Sequence, residues 1–149
     1  MAATHFRELD VWKVSMELAK EVYTLTAGFP SQEKYGLTSQ IQRAAVSVAS
    51  NIAEGNARHS RKEYLHFLSI ASGSVAEVQT QLLLAGDLGL ATGEEIHKPL
   101  QSAERVSKML FRMRQALQQR VSDGSPVPGP GSRLEDRDFH TFELPEDYS

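Results

Sequence analysis

Apolar residues recur in alternating steps of four and three along one stretch of the chain, residues 64–85. They are Tyr64, Leu68, Ala71, Val75, Val78, Leu82 and Ala85. A seam held over three heptads is typical of an α-helix packed against other helices. Ser60-Arg-Lys-Glu63 precedes the seam as a capping box, in which serine and glutamate satisfy each other's backbone amides, and Gly89 follows it. The pattern predicts a long bundle helix that begins at the box and ends near Gly89.

Two earlier segments, residues 6–27 and 38–57, also repeat apolar residues at spacings of three and four. The first ends before Gly28-Phe29-Pro30, and Thr38 or Ser39 is the N-cap we expect for the second. Residues predicted to face the core are Val11, Leu18, Val22 and Leu25 of the first, beside a stripe of Trp12, Met16, Ala19 and Tyr23, and Ile41, Ala45, Val48 and Ile52 of the second.

A fourth segment opens with a second capping box, Thr92-Gly-Glu-Glu95. Pro99 follows the first turn and predicts a kink there or a later start of the helix. The residues predicted to face inward are Ile96, Leu100, Ala103, Val106, Leu110, Met113 and Leu117. Four amphipathic segments with short connections and no strand pattern predict an all-α fold, an antiparallel up-down four-helix bundle.

The composition changes after Val121. The stretch DGSPVPGPGS is rich in proline and glycine, and the remainder is acidic with scattered aromatic residues. We therefore expect residues 1–121 to form the bundle and residues 122–149 to be a linker and a disordered C-terminal tail. Such a tail either increases solubility only, or docks on a partner or neighbouring subunit through Phe139, Phe142 and Tyr148.

Charge is divided unevenly between these two parts. Two of the 16 Lys and Arg residues and seven of the 19 Asp and Glu residues lie beyond Val121. The body therefore carries a net charge of about +2 and the tail about −5. Strong nucleic-acid binders usually concentrate far more basic residues, so bulk charge argues against that class and leaves only a local patch.

The chain contains no cysteine, no secretory signal and no stretch near the ~18 apolar residues of a membrane span. These features predict a cytoplasmic protein with no membrane partner. A glycine-flanked serine at a strand-to-helix turn and a phosphate-binding glycine loop are also lacking. We therefore expect no enzymatic activity, no catalytic residues and no cofactor.

Two Glu-x-x-His patterns, Glu63/His66 and Glu94/His97, match the spacing of di-iron bundles. They lie in the opening turns of consecutive antiparallel helices, roughly 40 Å apart, so they cannot share a metal pair. A single site from His59, Glu63 and His66 is sterically possible, and an ordinary solvated first turn is the alternative. No metal is predicted.

A polar line follows the second helix, within RAAVSVASNIAEGNAR. Ser47, Asn51, Glu54 and Arg58 repeat at intervals of four, three and four, which places them on one face. The line is a solvated face, a hydrogen-bonded contact between helices or subunits, or a ligand site. Our hypothesis is that Asn51 and Glu54 tie the helix to the third helix or to an adjacent subunit, and Glu77 of the third helix joins this candidate assembly network.

Basic residues form two candidate nucleic-acid-binding groups. Arg43, Arg58, Arg61 and Lys62 lie around the second connection, and the fourth helix carries Arg105, Lys108, Arg112 and Arg114, with Arg120 beyond. In a lone bundle these are solvated side chains. Around a ring of subunits a modest patch becomes multivalent, which raises affinity for RNA or DNA without new contacts.

The runs FRELDVW, VYTLTAGFP, EKYGLTSQIQRAAVSVASNIAEG and SRKEYLHFLSIASGSVAEVQTQL, over about residues 5–117, resemble a four-helix-bundle family first noted as proteins encoded by intervening sequences in 23S ribosomal RNA genes. The segments SNIAEG and Ala71 to Glu77 are the most specific. The resemblance implies a homo-oligomeric ring, typically a pentamer, of undefined biochemical role. The acidic tail lies outside the family core, and Ala49 stands where members often have proline, so we expect a straighter second helix.

A related branch, the accessory proteins of diversity-generating retroelements, is similar in fold and binds nucleic acid and a reverse transcriptase. Members of that branch are markedly basic, whereas this chain has a pI near 5.9. We therefore expect a non-enzymatic, homo-oligomeric scaffold or adaptor whose main partner is itself. The alternative is a nucleic-acid-binding accessory factor, and a protein partner is left open.

Overall fold

The structure, a computed structural model, describes residues 4–123, except for the side chains of residues 120–123. Its helices are α1 (Asp10–Thr26), α2 (Leu37–Ala57), α3 (Arg61–Asp87) and α4 (Gly93–Asp123). Single 3-10 turns, Phe6–Glu8 and Ser31–Glu33, precede α1 and α2, and no strand occurs within residues 4–123. Each helix packs on its two neighbours, with α4 closing against α1. The prediction of an all-α four-helix bundle is confirmed.

The core is built from the stripes that the apolar spacing predicts. In α3, every member of the seam from Leu68 to Ala85 is buried, and Tyr64 is half-buried against them. The four predicted residues of α2 are all fully buried. In α4 the stripe continues through Ala103, Val106 and Leu110 to Leu117. Because these helices are amphipathic with a common inner face, the core runs the length of the bundle.

The inner stripe of α1 differs from the expected one. Ser15 and Thr26 are buried, whereas Tyr23 is exposed. The Ser15 hydroxyl donates to the Val11 carbonyl at 2.7 Å, and the Thr26 hydroxyl donates to the Val22 carbonyl at 2.9 Å. A hydroxyl satisfied by its own helix can be buried at little cost, which is why these two polar residues join the predicted Val11, Leu18 and Val22 in the inner stripe, whereas Leu25 is only half-buried.

Two helix starts depart from expectation. An extended Leu9 separates the first 3-10 turn from α1, so α1 begins at Asp10 rather than near Phe6. The Thr38 or Ser39 cap of α2 is wrong: α2 begins at Leu37, whose amide donates to the Glu33 carboxylate at 3.3 Å. The helix α4 begins at Gly93, as its capping box predicts, and continues through Pro99, which excludes the later start, and the kink at Pro99 stays a prediction.

The serine cap of the first predicted box and both bonds of the second box form. Glu63 N donates to the Ser60 hydroxyl at 3.1 Å, and in the second box Thr92 N donates to Glu95 Oε1 at 3.0 Å while Glu95 N donates to the Thr92 hydroxyl at 3.1 Å. The second box fixes the first turn of α4 ahead of Pro99, which accounts for its early start.

The predicted boundary at residues 121 and 122 falls inside α4, which continues to Asp123. The predicted linker and disordered tail otherwise lie outside the described residues, and the division of the chain into these two parts stays a prediction.

Candidate assembly interface

The first half of the polar line lies at the contact between α2 and α3. Ser47 Oγ and Ser74 Oγ of α3 are 2.9 Å apart, and the Ser74 side chain is buried. The Asn51 amide donates to the Ser47 carbonyl at 2.8 Å and to the Ser47 hydroxyl at 2.9 Å. Ser47 therefore bridges the two helices, and Asn51 orients it from within α2.

The second half of the line is exposed. The Arg58 guanidinium donates to Glu54 Oε1 at 2.8 Å, one turn earlier in α2, and lies over the Phe67 ring of α3 with its central carbon 4.8 Å from the ring centroid. Within the chain, contacts to α3 thus come from Ser47 and Arg58, whereas Asn51 and Glu54 bond to α2 itself. Glu77 is exposed on α3, one turn beyond Ser74. A contact from this line to an adjacent subunit stays a prediction.

Gly55, in the SNIAEG segment, marks a close approach of α2 to α3. A Cβ atom at this position would lie 2.9 Å from the Phe67 Cβ and 3.4 Å from the Tyr64 ring and carbonyl. The adjoining Asn56 amide donates to the Tyr64 hydroxyl at 3.5 Å, and burial raises the pKa of Tyr64. Glycine, which has no Cβ, permits this approach.

The outer face of α3, defined by Ile70, Glu77, Leu84 and Leu88, is the feature that sequence reasoning missed. Ile70 is 40% exposed, Leu84 43% and Leu88 59%. At about 100° per residue the four positions fall within some 40° of one another, away from the buried seam. In the sequence this face is marked by a second heptad repeat, because Ile70, Glu77 and Leu84 are spaced by seven residues. The face therefore presents Ile70 near the middle of α3 and Leu84 and Leu88 at its C-terminal end to solvent, with the exposed Glu77 between them.

The candidate basic residues do not form one patch. Arg43 is exposed on α2, about 22 Å along the helix axis from Arg58. On α4, Arg105 and Lys108 are exposed, and Lys108 pairs with Glu104 at 3.0 Å. The other candidates are Arg61 and Lys62 in the first turn of α3, and Arg112 and Arg114, half-buried on α4.

One hydrogen bond and one surface depression change which residues of α4 belong to the basic group. The Arg114 guanidinium donates to the Ser72 hydroxyl of α3 at 3.4 Å, so Arg114 also serves the contact between these helices. Lys98, which was not among the candidates, lines a surface depression between α1 and α4 together with Lys13 and Arg105. Glu17 and Glu21 line the same depression, and Glu21 accepts a hydrogen bond from Ser102 at 3.0 Å.

Two acidic side chains of the capping turns, Glu63 and Glu95, bond to the N-cap residues of their helices. Hydrogen bonds from the Thr92 backbone and side chain lower the pKa of Glu95, and Glu63 accepts from the Ser60 hydroxyl at 3.1 Å. In residues 4–123, no three His, Asp or Glu side chains are grouped so as to hold a metal ion. The same part of the chain has no helix with the length and apolar character to cross a membrane.

The model of one family, described as the 23S rRNA-intervening sequence protein, matches residues 7–112. A similar solved structure is the crystal structure of a protein of unknown function from the S23 ribosomal protein family of Bacteroides thetaiotaomicron, with a TM-score of 0.64 and 23% identity. The alignment covers 70% of this chain and 98% of that one, and shows a common fold. No curated protein sequence matches the chain.

Proposed function

The chain belongs to the 23S rRNA-intervening sequence protein family, whose function is unknown, and from that premise we propose that it is a non-enzymatic, homo-oligomeric scaffold or adaptor. Its working surface is made by the assembly rather than by a pocket in one chain. A ring of five subunits is the assembly that the family resemblance implies.

The observation that carries this proposal is the outer face of α3. A helix with apolar residues on more than one side is typical of one buried on more than one side, and α3 buries only its inner seam within the chain. Complete burial of a Leu or Ile side chain contributes about 1.5–3 kcal/mol relative to full exposure, so three half-exposed side chains give a substantial driving force. A second copy of the chain presents the same apolar surface, so a symmetric contact can cover it without a different partner.

The polar line supports the same placement. Ser47, Glu54 and Arg58 border the outer face of α3 on its α2 side, where they are positioned by the contacts described above. Such a polar edge beside exposed apolar residues is the usual arrangement of a protein–protein interface, with a hydrophobic centre and a polar rim.

The test is the mass of the purified protein by light scattering. We expect a multiple of the 16.5 kDa chain mass, and Ile70→Glu/Leu84→Glu should give a monomer with unchanged helical circular dichroism. Tyr35→Glu is the matched control, because Tyr35 is 88% exposed on the turn before α2 and lies outside the face. A monomeric wild type, or an assembly that survives the double substitution, would overturn the proposal.

A second candidate function is nucleic-acid binding through α4. The observation that favours it is the charge of residues 98–114, which contain five basic residues and one acidic residue. Phosphate contacts predict that affinity for RNA or DNA falls steeply as salt is raised. We expect Arg105→Ala/Lys108→Ala to weaken binding and reduce the salt slope, whereas the exposed α3 variant Lys62→Ala changes both less. Absence of binding at low salt would eliminate this candidate.

A further inference from the structure

From Lys98 onward, α4 has a basic outer face made of Lys98, Arg105, Lys108 and Arg112. The first, second and fourth are spaced by seven residues, and at about 100° per residue all four lie within some 80°. Lys98 and Arg105 are exposed, and neither forms an ion pair or hydrogen bond with a residue in the described part of the chain. Lys108 pairs with Glu104, and Glu17 and Glu21 lie in the same depression as Lys98 and Arg105. Lys98 and Arg105 are therefore the members of this face whose charge no ion pair of the described bundle neutralises.

A segment of complementary charge follows α4 in the same chain. Residues 133–149 contain six acidic and two basic residues, a net charge of −4. Three aromatic residues, Phe139, Phe142 and Tyr148, are interspersed among the acids. On α4, Phe111 is 57% exposed on the flank of the basic face that turns toward α3. The acidic and aromatic residues of this segment thus complement the basic residues of α4 and Phe111.

The connection is long enough for this contact. The basic face extends back about 27 Å along the helix from Asp123 to Arg105. Residues 124–132 include three prolines, and a segment of nine residues can reach about 28 Å when it is fully extended as polyproline. A segment tethered in this way has an effective concentration on the order of millimolar at the face, which favours it over a free ligand.

We propose that residues 133–149 bind the basic face of α4 in their own chain, with the carboxylates beside Lys98, Arg105, Lys108 and Arg112 and an aromatic side chain against Phe111. The contact does not depend on the proposed assembly. It covers the residues that nucleic-acid binding through α4 requires, so the segment acts as an internal competitor for phosphate.

The cysteine-free chain allows two spin labels to be placed freely. Gln101→Cys, exposed on the basic face, and Thr141→Cys are labelled in the full-length protein, and their separation is measured by double electron–electron resonance. An undocked segment gives a broad distribution centred near 40 Å, since about 33 Å of helix separates Gln101 from Asp123 and 18 further residues add a coil of about 23 Å. The docked segment gives a narrow distribution shorter than about 30 Å.

Three variants test whether a short distance between the labels is caused by charge contacts with the basic face of α4. Arg105→Glu/Lys108→Glu should restore the broad distribution, and so should Glu143→Gln/Glu146→Gln/Asp147→Asn, which leaves the described bundle untouched. Arg43→Glu/Lys62→Glu makes the same change in net charge on α2 and α3 and should keep the short distance. A broad distribution in the parent protein would overturn the proposal. So would a short distance found only between singly labelled chains that are mixed, because the neighbouring subunit's segment would then be the occupant.

Discussion

At the scale of single residues, Gly55 and Gly73 show how one residue type is placed for different reasons. Gly55 has Phe67 and Tyr64 against its backbone, so it is there for the close approach of α2 and α3. Gly73 is exposed in α3 and has no atom within 4 Å of where a Cβ would be. Only the first is required by packing.

Alanine substitution separates the two cases. Gly73→Ala should stabilise the protein by about 0.5–1 kcal/mol through helix propensity. Gly55→Ala gains the same propensity but forces a contact of 2.9 Å with the Phe67 Cβ, and overpacking of this kind costs about 1–3 kcal/mol, so we expect a net loss. Urea denaturation midpoints measure both. A stabilising Gly55→Ala would show that the two helices separate easily.

Glu95 makes a pH-dependent contribution at the start of α4. Its pKa is lowered because the Thr92 backbone and hydroxyl bond to it, so its contribution is present above the unfolded-state pKa of about 4.3 and is lost as pH falls through the lower folded value. The melting temperature of wild type should therefore exceed that of Glu95→Gln at pH 7, and the gap should close between about pH 5 and pH 3. Glu94→Gln, outside the box, is the control. A gap that stays constant down to pH 3 would contradict this account.

At the scale of helices, the contact between α2 and α3 combines a polar bridge with close backbone approach. Ser47→Ala leaves the buried Ser74 hydroxyl without its partner and should cost about 1–2 kcal/mol. Ser74→Ala should cost less, because the Ser47 hydroxyl still accepts from the Asn51 amide. The double variant should cost less than the sum, because no hydroxyl is then left unpaired. Ser50→Ala, exposed on α2, should have little effect. A double-mutant cycle from urea denaturation gives the coupling, and strictly additive losses would mean that the bridge contributes nothing.

The helices themselves were largely predictable, and the reasons for the exceptions are physical. Spacing of three and four located the buried stripes of α2, α3 and α4 because apolar burial dominates packing there. The N-cap of α2 was missed because Glu33, in a preceding turn, supplies the acceptor that a local cap would have given. Ser15 and Thr26 were missed because hydrogen bonds within one helix do not appear in an apolar pattern.

The candidate site was less predictable than the fold. The polar line was correctly placed on one face of α2, yet which members reach α3 depends on the side-chain geometry of Ser74 and Phe67. The outer face of α3 was overlooked because the dominant seam of that helix masks a second stripe of the same period. The spacing of residues in the sequence shows which of them lie on the same face of a helix. It does not show what that face contacts.

At the scale of the whole molecule, apolar and basic surfaces lie on different helices. The outer face of α3 presents Ile70, Leu84 and Leu88, and the outer face of α4 presents four basic residues. The assembly that we propose through α3 would therefore use a different surface from the basic face of α4, so copies of that face could act together. In the proposed contact of residues 133–149 with α4, the segment would control access to the basic face.

The most direct test of assembly through α3 is the reactivity of single cysteines with a maleimide in the native protein. Ile70→Cys and Leu84→Cys should react far more slowly than Tyr35→Cys, and dilution or mild denaturant that lowers the mass to that of one chain should bring all three to the same rate. Equal, rapid labelling at all three positions in a sample whose mass is that of an oligomer would show that the outer face of α3 is not the interface.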